Sequence, residues 1–446
     1  MFLFLNSKKL YTFLKYLTCS APLIFCLFIY LTENVNYNDL FELRKYSATT
    51  KFWLGQSEQE YSIGRLPVYP IFLTVIYRIF GIDNYNALIF FQAIIGFFSF
   101  YFLIKTLEEL KISKNLITIS TILLNFSMIF RFSVFLPNCI FIFILTILIY
   151  NFTKFFITNE KKYFFFFCMS LFLLLLTRPI FQFTILLTIP IVVIYLIKIK
   201  VNHKSLLIFV LLSSYVCGIG IQILRHYNYD KSILYTSQSG HHFHWVVACL
   251  SKKYACGTRD MSVFNYLAEQ SDFKIGKIEG ANLEQQNKVR MKVGKEYIIN
   301  NFNKDAFIFS VIFSYIKVIF HSSLIEIYGA LDFNAPELYL SGENNLIYKL
   351  KMVFSSSLDN PLNLFWCLSI LFIFLLRLIQ LYGMLVGIKN RSMRFYILIL
   401  SSMLIVILIT SVGLGNPRYR SEAEPLLVIL GAFGINHILT KLKNKN

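Results

Sequence analysis

The sequence predicts an all-α polytopic membrane protein, a bundle of about ten transmembrane helices with a larger outer region. Of its 446 residues, 56% are hydrophobic and only 15% are charged. A soluble chain of this length cannot bury so much apolar surface. Several apolar runs also reach the roughly 20 residues that a helix needs to cross a bilayer.

The first apolar run, residues 10–31, follows two lysines and is predicted to be an uncleaved span. It is too long for the apolar core of a signal peptide, and no small-residue cleavage site follows it. The other predicted spans are residues 84–107, 115–130, 135–156, 163–177, 180–197, 205–224, 362–386, 395–412 and 425–439. Two of these are short, which a bundle tolerates when neighbouring helices cover their ends.

The charge distribution supports a multi-pass topology with both termini in the cytoplasm. In that arrangement the cytoplasmic segments carry eighteen cations and three acids, so they account for most of the net charge of +19. This excess is the positive-inside signal of a membrane protein, so no nucleic-acid partner is expected. The cations are Lys8, Lys9, Lys15, Lys105, Lys111, Lys114, Lys154, Lys161, Lys162, Lys198, Lys200, Lys204, Lys389, Arg391, Arg394, Lys441, Lys443 and Lys445.

Three regions follow from this topology. Residues 1–224 form an N-terminal transmembrane module whose first outer loop, 32–81, contains a predicted juxtamembrane helix, "YPIFLTVIYRIF". Residues 225–361 form an outer region with a helical "EQQNKVRMKVGKEYIINNF" and an apolar segment, 307–331. Charges interrupt that segment, so an interfacial or re-entrant helix is favoured over a span. Residues 362–446 form the C-terminal transmembrane module.

The cysteines divide between the two environments. Cys249 and Cys256, in "CLSKKYAC", lie in the outer region, where they either close a small disulfide or stay free thiols. The six cysteines within spans are interpreted as small buried hydrophobic residues. They are Cys19, Cys26, Cys139, Cys168, Cys217 and Cys367.

Polar, proline-marked elements collect on the outer side, where they can build a site at the membrane surface. Asp39 and Glu42 follow the first span closely, so either is a candidate general base, with solvated surface acids as the alternative. Arg65, in "GRLPVYP", can bind two phosphate oxygens at once. The alternative for Arg65 is ordinary snorkelling at the interface.

The stretch "GNPRYRSEAEP" connects two apolar runs on the outer side. Arg418 and Arg420 are two positions apart and do not share a helix face. One of them is therefore expected to meet a lipid phosphate while the other pairs with Glu422 or Glu424. Outer arginines run against the positive-inside bias, which makes them more informative than the inner lysines.

Two further features of the sequence are candidates for a functional role. Histidines 241, 242 and 244 of "SGHHFHW" suggest a transition metal, but no metal is expected, because adjacent histidines rarely point at one ion and no carboxylate ligand adjoins them. Trp245 in the same stretch is an alternative contact for a sugar face. Arg377 lies deep in a predicted span, so a structural partner is expected for it.

Taken together and in order, several segments resemble the GT-C glycosyltransferases, in the branch with protein O-mannosyltransferases and lipid A aminoarabinose transferases. The segments are an acid in the first outer loop, "RLPVYPIFLTVIYRIFG", "FFQAIIGFFSFYFLIKTL", "LLLLTRPIFQF" and "RYRSEAEPLLVILGAFGI". The resemblance implies a GT-C-like bundle, Asp39 as catalytic base, and donor-phosphate binding by Arg65, Arg418, Tyr419 and Arg420. The sequence departs from the family pattern in two places. Leu40 follows Asp39, so that Glu42 is the nearest second acid, and Leu66–Pro67 replaces a paired proline.

The expected function is an inverting hexosyl- or pentosyltransferase at the outer, periplasmic face of the inner membrane. It would move a sugar from a polyprenyl-phosphate donor to a glycan, lipid or protein acceptor, with neither metal nor other cofactor. A transporter or flippase for lipid-linked sugars is one alternative. Transporters often place their ionisable groups mid-membrane in repeated halves, and no repeat is evident here. An oligosaccharide ligase or polymerase is the other.

Overall fold

A computed structural model describes residues 8–31, 40–56, 65–114, 116–117, 128–129, 132, 137–236, 239–251, 262–308, 361–410 and 418–443. These residues form helices joined by short connections, and no strand occurs among them. The helices are α1 (Lys8–Leu31), α2 (Leu40–Trp53), α3 (Val68–Phe80), α4 (Tyr85–Glu109), α5 (Asn138–Thr158), α6 (Lys161–Leu175), α7 (Thr184–Lys198), α8 (Lys204–Asp230), α9 (Ser239–Ser251), α10 (Ser262–Ile275), α11 (Leu283–Asn301), α12 (Pro361–Lys389), α13 (Arg394–Thr410) and α14 (Arg418–Lys443). The all-α prediction is thereby confirmed for the part described.

Seven helices in the described part are long and apolar enough to cross a membrane. They lie at Lys9–Phe28, Tyr85–Glu109, Asn138–Thr158, Pro179–Lys198, Lys204–Asp230, Leu371–Lys389 and Ser421–Lys443. The chain is therefore a polytopic helical protein, as predicted, but the count of ten is not confirmed. Helix α6, at the predicted span 163–177, has only 15 residues, and α13 has 17. The predicted span 115–130 lies almost wholly outside the described residues.

Charged residues that the sequence assigns to one side meet at one end of the bundle, here called the Glu108 end. Glu108, at the end of α4, binds Lys15 of α1 at 2.8 Å and Lys105 at 3.0 Å. Its neighbour Glu109 binds Lys154 of α5 at 2.5 Å. The N-terminal part of α1 and the C-terminal parts of α4 and α5 thus share one end, as alternating spans require.

Aromatic side chains continue the core at the same end. Phe152 of α5 stacks on Tyr396 of α13 with ring centroids 5.8 Å apart. Tyr195 of α7 packs against Phe152 and against Phe395 of α13. The Tyr396 hydroxyl also hydrogen-bonds Thr153 at 2.9 Å. Burial of such large rings stabilises the junction of three helices.

Helices α12 and α14 pack side by side because two glycines let their backbones approach. A Cβ on Gly383 would lie 2.7 Å from the backbone nitrogen of Gly434 and would collide with the carbonyl oxygen of Leu430. Small residues at such crossings are typical of membrane helix pairs, where close van der Waals packing drives association.

The first outer loop is more helical than the sequence suggests. The predicted juxtamembrane helix is confirmed as a helix, α3. Pro67 precedes it, and Gly81, with a positive φ of 94°, caps its C-terminal end. Helix α2 was expected to be loop, and that expectation is wrong. Its low apolar content concealed it, but its buried face packs on α3 and places Thr50 within hydrogen-bonding distance, 3.2 Å, of the Pro70 carbonyl.

Helices α9, α10 and α11 form a small unit around Val247, Leu267 and Val293, in the region that the sequence assigns to the outer side. We call it the outer unit. Helix α11 matches the helical stretch predicted from the sequence. The end of α8 holds this unit, because the Asp230 carboxylate accepts a hydrogen bond from the Leu283 backbone nitrogen at 2.7 Å. A carboxylate at a helix N-terminus satisfies an otherwise unpaired amide and complements the helix dipole.

The cysteine predictions are partly confirmed. Cysteines 19, 26, 139 and 168 are buried free thiols, but Cys217 is exposed, so the prediction for that residue is wrong. Cys217 lies on an outward face of α8, and an apolar exposed position is natural where a helix faces lipid. The side chains of Cys249 and Cys367 lie outside the described part, as does Cys256.

Candidate functional site

The polar centre of the opposite end of the bundle is an ion pair between Arg178 and Glu422. Arg178 follows α6, and its extended backbone, φ −142° and ψ 129°, suits a residue that precedes proline. Its guanidinium donates to the Oε1 atom of Glu422 from both Nε, at 2.8 Å, and Nη2. The Glu422 side chain is completely buried. We call this end of the bundle the Arg178 end.

A third helix, α5, also hydrogen-bonds the Glu422 carboxylate. Asn138, the first residue of α5, donates from Nδ2 to Glu422 Oε1 at 2.7 Å. Glu422 Oε2 and Asn138 Oδ1 are buried and make no hydrogen bond to any described residue. Arg178, Asn138 and Glu422 therefore connect the ends of α6 and α5 to the first turns of α14.

A second buried ion pair involves Glu424, two residues after Glu422 in α14. Arg377 of α12 donates to Glu424 of α14 at 3.0 Å and also binds Gln380. The exposed fractions of the arginine and glutamate side chains are 11% and 2%. The structural partner expected for Arg377 is thus confirmed. The attraction between the two charges offsets the cost of removing the arginine from water inside an apolar bundle.

The start of α14 corrects the expectation for "GNPRYRSEAEP". Helix α14 begins at Arg418, so most of the stretch is helix and not connection, and the span predicted from 425 starts earlier. The described ion-pair partners of Glu422 and Glu424 are Arg178 and Arg377. The expected pairing of Arg418 or Arg420 with one of these glutamates stays a prediction, because the side chains of both arginines lie outside the described residues. Distant cations that neutralise the glutamates allow a charged segment to enter the bundle as helix.

The segment around Arg65 lies against the turn that carries Arg178. The Val68 backbone nitrogen donates to the Leu176 carbonyl at 3.3 Å, two residues before Arg178. Tyr235 also donates to the carbonyl of the neighbouring Leu175. The first outer loop and the start of α14 therefore meet on either side of one turn, at the C-terminal end of α6.

A frame of tyrosines and amides positions Arg65. Its guanidinium lies over the Tyr46 ring, 5.0 Å from the centroid, and Tyr46 packs edge-on against Tyr69 at 5.1 Å. The Tyr69 hydroxyl donates to Gln92 at 3.1 Å, and Gln92 donates to the Phe132 carbonyl at 3.1 Å. The aromatic face attracts the guanidinium electrostatically and holds it in place.

The end of α8 adds another arginine to this surface. Arg225 donates from Nη1 to the backbone carbonyl of Arg65 at 2.6 Å, and its guanidinium lies over the ring of Trp53, 5.5 Å from the centroid. Helices α2 and α8 and the Arg65 segment therefore converge on one cationic patch.

The remaining predicted site residues are described only in part. Asp39 lies outside the described residues, directly before the helix that begins at Leu40. Glu42 is the third residue of that helix, although a loop was expected there. Residues 418, 419 and 420 form the first turn of α14, two residues before Glu422. The backbone of that turn therefore belongs to the Arg178 end. The side chains of Glu42 and of residues 418–420 lie outside the part of the chain that the structure describes.

The histidine stretch lies on α9, in the outer unit. His244 is buried, with Nε2 positioned 2.9 Å from the Arg290 carbonyl oxygen, while Trp245 stacks on Phe264 at 4.3 Å. Burial lowers the pKa of His244. His241 lies over the same phenylalanine, with ring centroids 6.1 Å apart. The described residues contain no cluster of three or more metal-ligating side chains.

Sequence reasoning missed the roles of Arg178, Asn138 and Arg225. Arg178 entered the sequence analysis only as part of "LLLLTRPIFQF", and Asn138 and Arg225 were not singled out. The available signal was a lone arginine at the end of an apolar run, which is costly without a partner. The glutamates of "SEAEP" were the natural partners at a distance.

No protein-family model matches the chain, and no curated protein matches it.

Proposed function

We propose that this chain is an inverting glycosyltransferase that moves a sugar from a polyprenyl-phosphate donor to a glycan, lipid or protein acceptor at the outer face of the inner membrane. The proposal is supported above all by the meeting of the first outer loop and the start of α14 at the Arg178 end. Within the three residues Leu176–Arg178, Leu176 accepts the hydrogen bond from Val68 and Arg178 forms the ion pair with Glu422.

The chemistry assigns one role to each part of this surface. Asp39, with Glu42 as the neighbouring acid, takes the proton from an acceptor hydroxyl as its oxygen attacks the anomeric carbon. The bond from that carbon to the phosphate oxygen breaks, and the configuration inverts. Arg65, Arg418 and Arg420, with Tyr419, stabilise the charge on the departing polyprenyl phosphate.

The location of charge favours this chemistry over transport. The glutamates of the two buried ion pairs, Glu422 and Glu424, lie in the first turns of α14, near one end of the bundle. A carrier that alternates between two faces needs its binding site near the bilayer midplane. A lipid phosphate, by contrast, sits at the membrane surface, where a cationic patch at one end of the helices can reach it.

The test is mass spectrometry of the surface glycans, glycolipids and glycoproteins of a strain that lacks this chain. The proposal predicts the loss of one sugar residue from one acceptor, with the remaining glycan intact. The wild-type chain should restore that residue, and Asp39→Asn should not. Asp305→Asn serves as the matched control, because Asp305 lies exposed in the outer unit.

Two results would contradict the proposal. Unchanged surface glycans would show that the chain does not transfer a sugar to them. Loss of complete glycan chains would favour a ligase or polymerase. Restoration of the missing sugar by Asp39→Asn would reject the base assignment.

A further inference from the structure

An open cavity of about 490 Å³ lies along the exposed side of the C-terminal end of α8. It is lined by Ile221, Leu224, Arg225, Asn228 and Tyr229. Their spacing of three and four residues places them on one face of the helix. The adjacent face, which carries Gln222 and His226, is buried.

The buried face of α8 fixes the cavity in place. Gln222 and His226 hydrogen-bond each other at 3.1 Å, and His226 Nδ1 lies 2.6 Å from the Leu234 carbonyl oxygen. Both side chains are fully buried. The last two turns of α8 are thereby locked in rotation, so the cavity-lining residues keep their direction.

The lining combines apolar, polar and cationic groups in a fixed order. Ile221 and Leu224 are apolar and lie towards the middle of α8, whereas Asn228 and Tyr229 lie at its end. Arg225 stands between them. A ligand that matches this order is amphipathic, with an apolar chain and an anionic group that accepts hydrogen bonds.

Arg225 is held in position from two sides. The Arg65 carbonyl accepts a hydrogen bond from one guanidinium nitrogen at 2.6 Å, and Trp53 supports the plane of the group. Preorganised guanidinium groups lose little conformational entropy when they bind a phosphate. The first of these contacts also places Arg225 beside the Arg65 segment of the candidate site.

We infer that this cavity binds the phosphate and the first isoprenoid units of the lipid donor, with Arg225 as a phosphate ligand. The inference rests on the proposed function, which supplies a polyprenyl phosphate as donor. The cavity volume suits a headgroup and a short part of the chain. The rest of the isoprenoid would then extend past Leu224 and Ile221 along the apolar face of α8.

Native mass spectrometry of the purified full chain with undecaprenyl phosphate tests the site. Arg225→Ala is expected to weaken binding about tenfold or more, because it removes a charged hydrogen-bond donor. Arg225→Lys should recover part of the affinity, since it keeps the charge. Lys231→Ala is the matched control at the C-terminal cap of α8. Lys231 lies over the Tyr227 ring and does not line the cavity. This variant should bind undecaprenyl phosphate within about twofold of wild type.

A second pair of variants covers the case in which Arg225→Ala does not fold. Leu224→Trp and Ile221→Trp fill the cavity and leave Arg225 unchanged, and both should weaken undecaprenyl phosphate binding. Wild-type affinity in these two variants, or in folded Arg225→Ala, would overturn the assignment. Equal displacement by phosphatidylglycerol or by inorganic phosphate would also overturn it, because the site would then not recognise a polyprenyl phosphate.

The binding assay separates this inference from the proposed function. Binding that depends on Arg225, together with sugar transfer that does not depend on Asp39, would keep the site and reject the transferase. Transfer that depends on Asp39, together with binding that ignores Arg225, would keep the transferase and reject the site.

Discussion

The Arg178 guanidinium binds the Glu422 carboxylate across 244 positions of sequence, and the glutamate has no exposed surface. Removing one partner of a buried pair leaves the other charge unpaired, which costs about 3–5 kcal/mol. We therefore expect Arg178→Ala and Glu422→Ala to lower the thermal stability of the detergent-purified chain markedly. The double variant should be more stable than either single variant, because neither charge is then left alone.

The control for this prediction is the exposed pair Lys274–Glu296 in the outer unit. Lys274→Ala should change the melting temperature little, since solvent already screens that pair. Equal effects of Arg178→Ala and Lys274→Ala would show that the Arg178 end does not depend on its ion pair.

The α12–α14 crossing gives a second stability prediction. Gly383→Val should destabilise the chain by about 1–3 kcal/mol, because its side chain has no room beside Gly434. Gly220→Ala is the matched control on α8, where nothing lies within 4 Å of an added Cβ. It should be neutral or slightly stabilising, by up to about 1 kcal/mol. Thermal melting followed by size-exclusion chromatography measures both, and equal melting temperatures would refute the close crossing.

The outer unit should lose stability in acid because of His244. Burial lowers the pKa of this histidine below its ordinary 6.5, with a smaller opposing contribution from Asp272. The unfolded chain therefore takes up the proton first, and the stability contributed by the neutral ring falls as the pH drops below about 6.5. Hydrogen exchange of α9–α11 between pH 7.5 and 5 measures this loss.

Variants at neighbouring histidines make that measurement specific. His244→Gln removes the titrating group and should flatten the pH dependence. His242→Gln changes an exposed histidine on the same helix and should leave the pH dependence as it is in the wild type. A wild-type pH profile in His244→Gln would contradict the assignment.

Arg418 should act on the lipid donor. Arg418→Ala is expected to raise the KM for the polyprenyl-phosphate sugar about tenfold, because a charge-assisted hydrogen bond to the phosphate is lost. The KM for the acceptor should stay within about twofold. Transfer kinetics in detergent, with donor and acceptor varied separately, check this, and an effect confined to the acceptor would contradict a phosphate role.

Composition and charge were enough to predict the helical, polytopic class and the grouping of Lys15, Lys105 and Lys154 at one end. Both follow from properties summed over many residues, namely apolar run length and the bias of lysines. The helix at Leu40–Trp53 was not predicted, because a short helix with few apolar residues depends on tertiary packing more than on its own pattern.

The partners of Glu422 and Glu424 could not be predicted from local spacing. Their own segment offered Arg418 and Arg420, whereas the partners that the structure describes are Arg178 and Arg377. Contacts between residues far apart in sequence depend on how the helices pack, and no short motif encodes that. The expectation that the first outer loop and the start of α14 contribute to one site rested on family resemblance. The structure adds the turn at Leu176–Arg178, which contacts both segments.

Sugar transfer by the detergent-purified chain tests the central claim most directly, since detergent removes any requirement for transport across a membrane. The donor is the labelled polyprenyl-phosphate sugar pool, and the acceptor is the envelope fraction of a strain that lacks the chain. The wild-type chain should label the acceptor, while Asp39→Asn should be slower by about 10²–10⁴ and Glu42→Gln should be affected less. Equal rates for the wild type and folded Asp39→Asn would contradict the account.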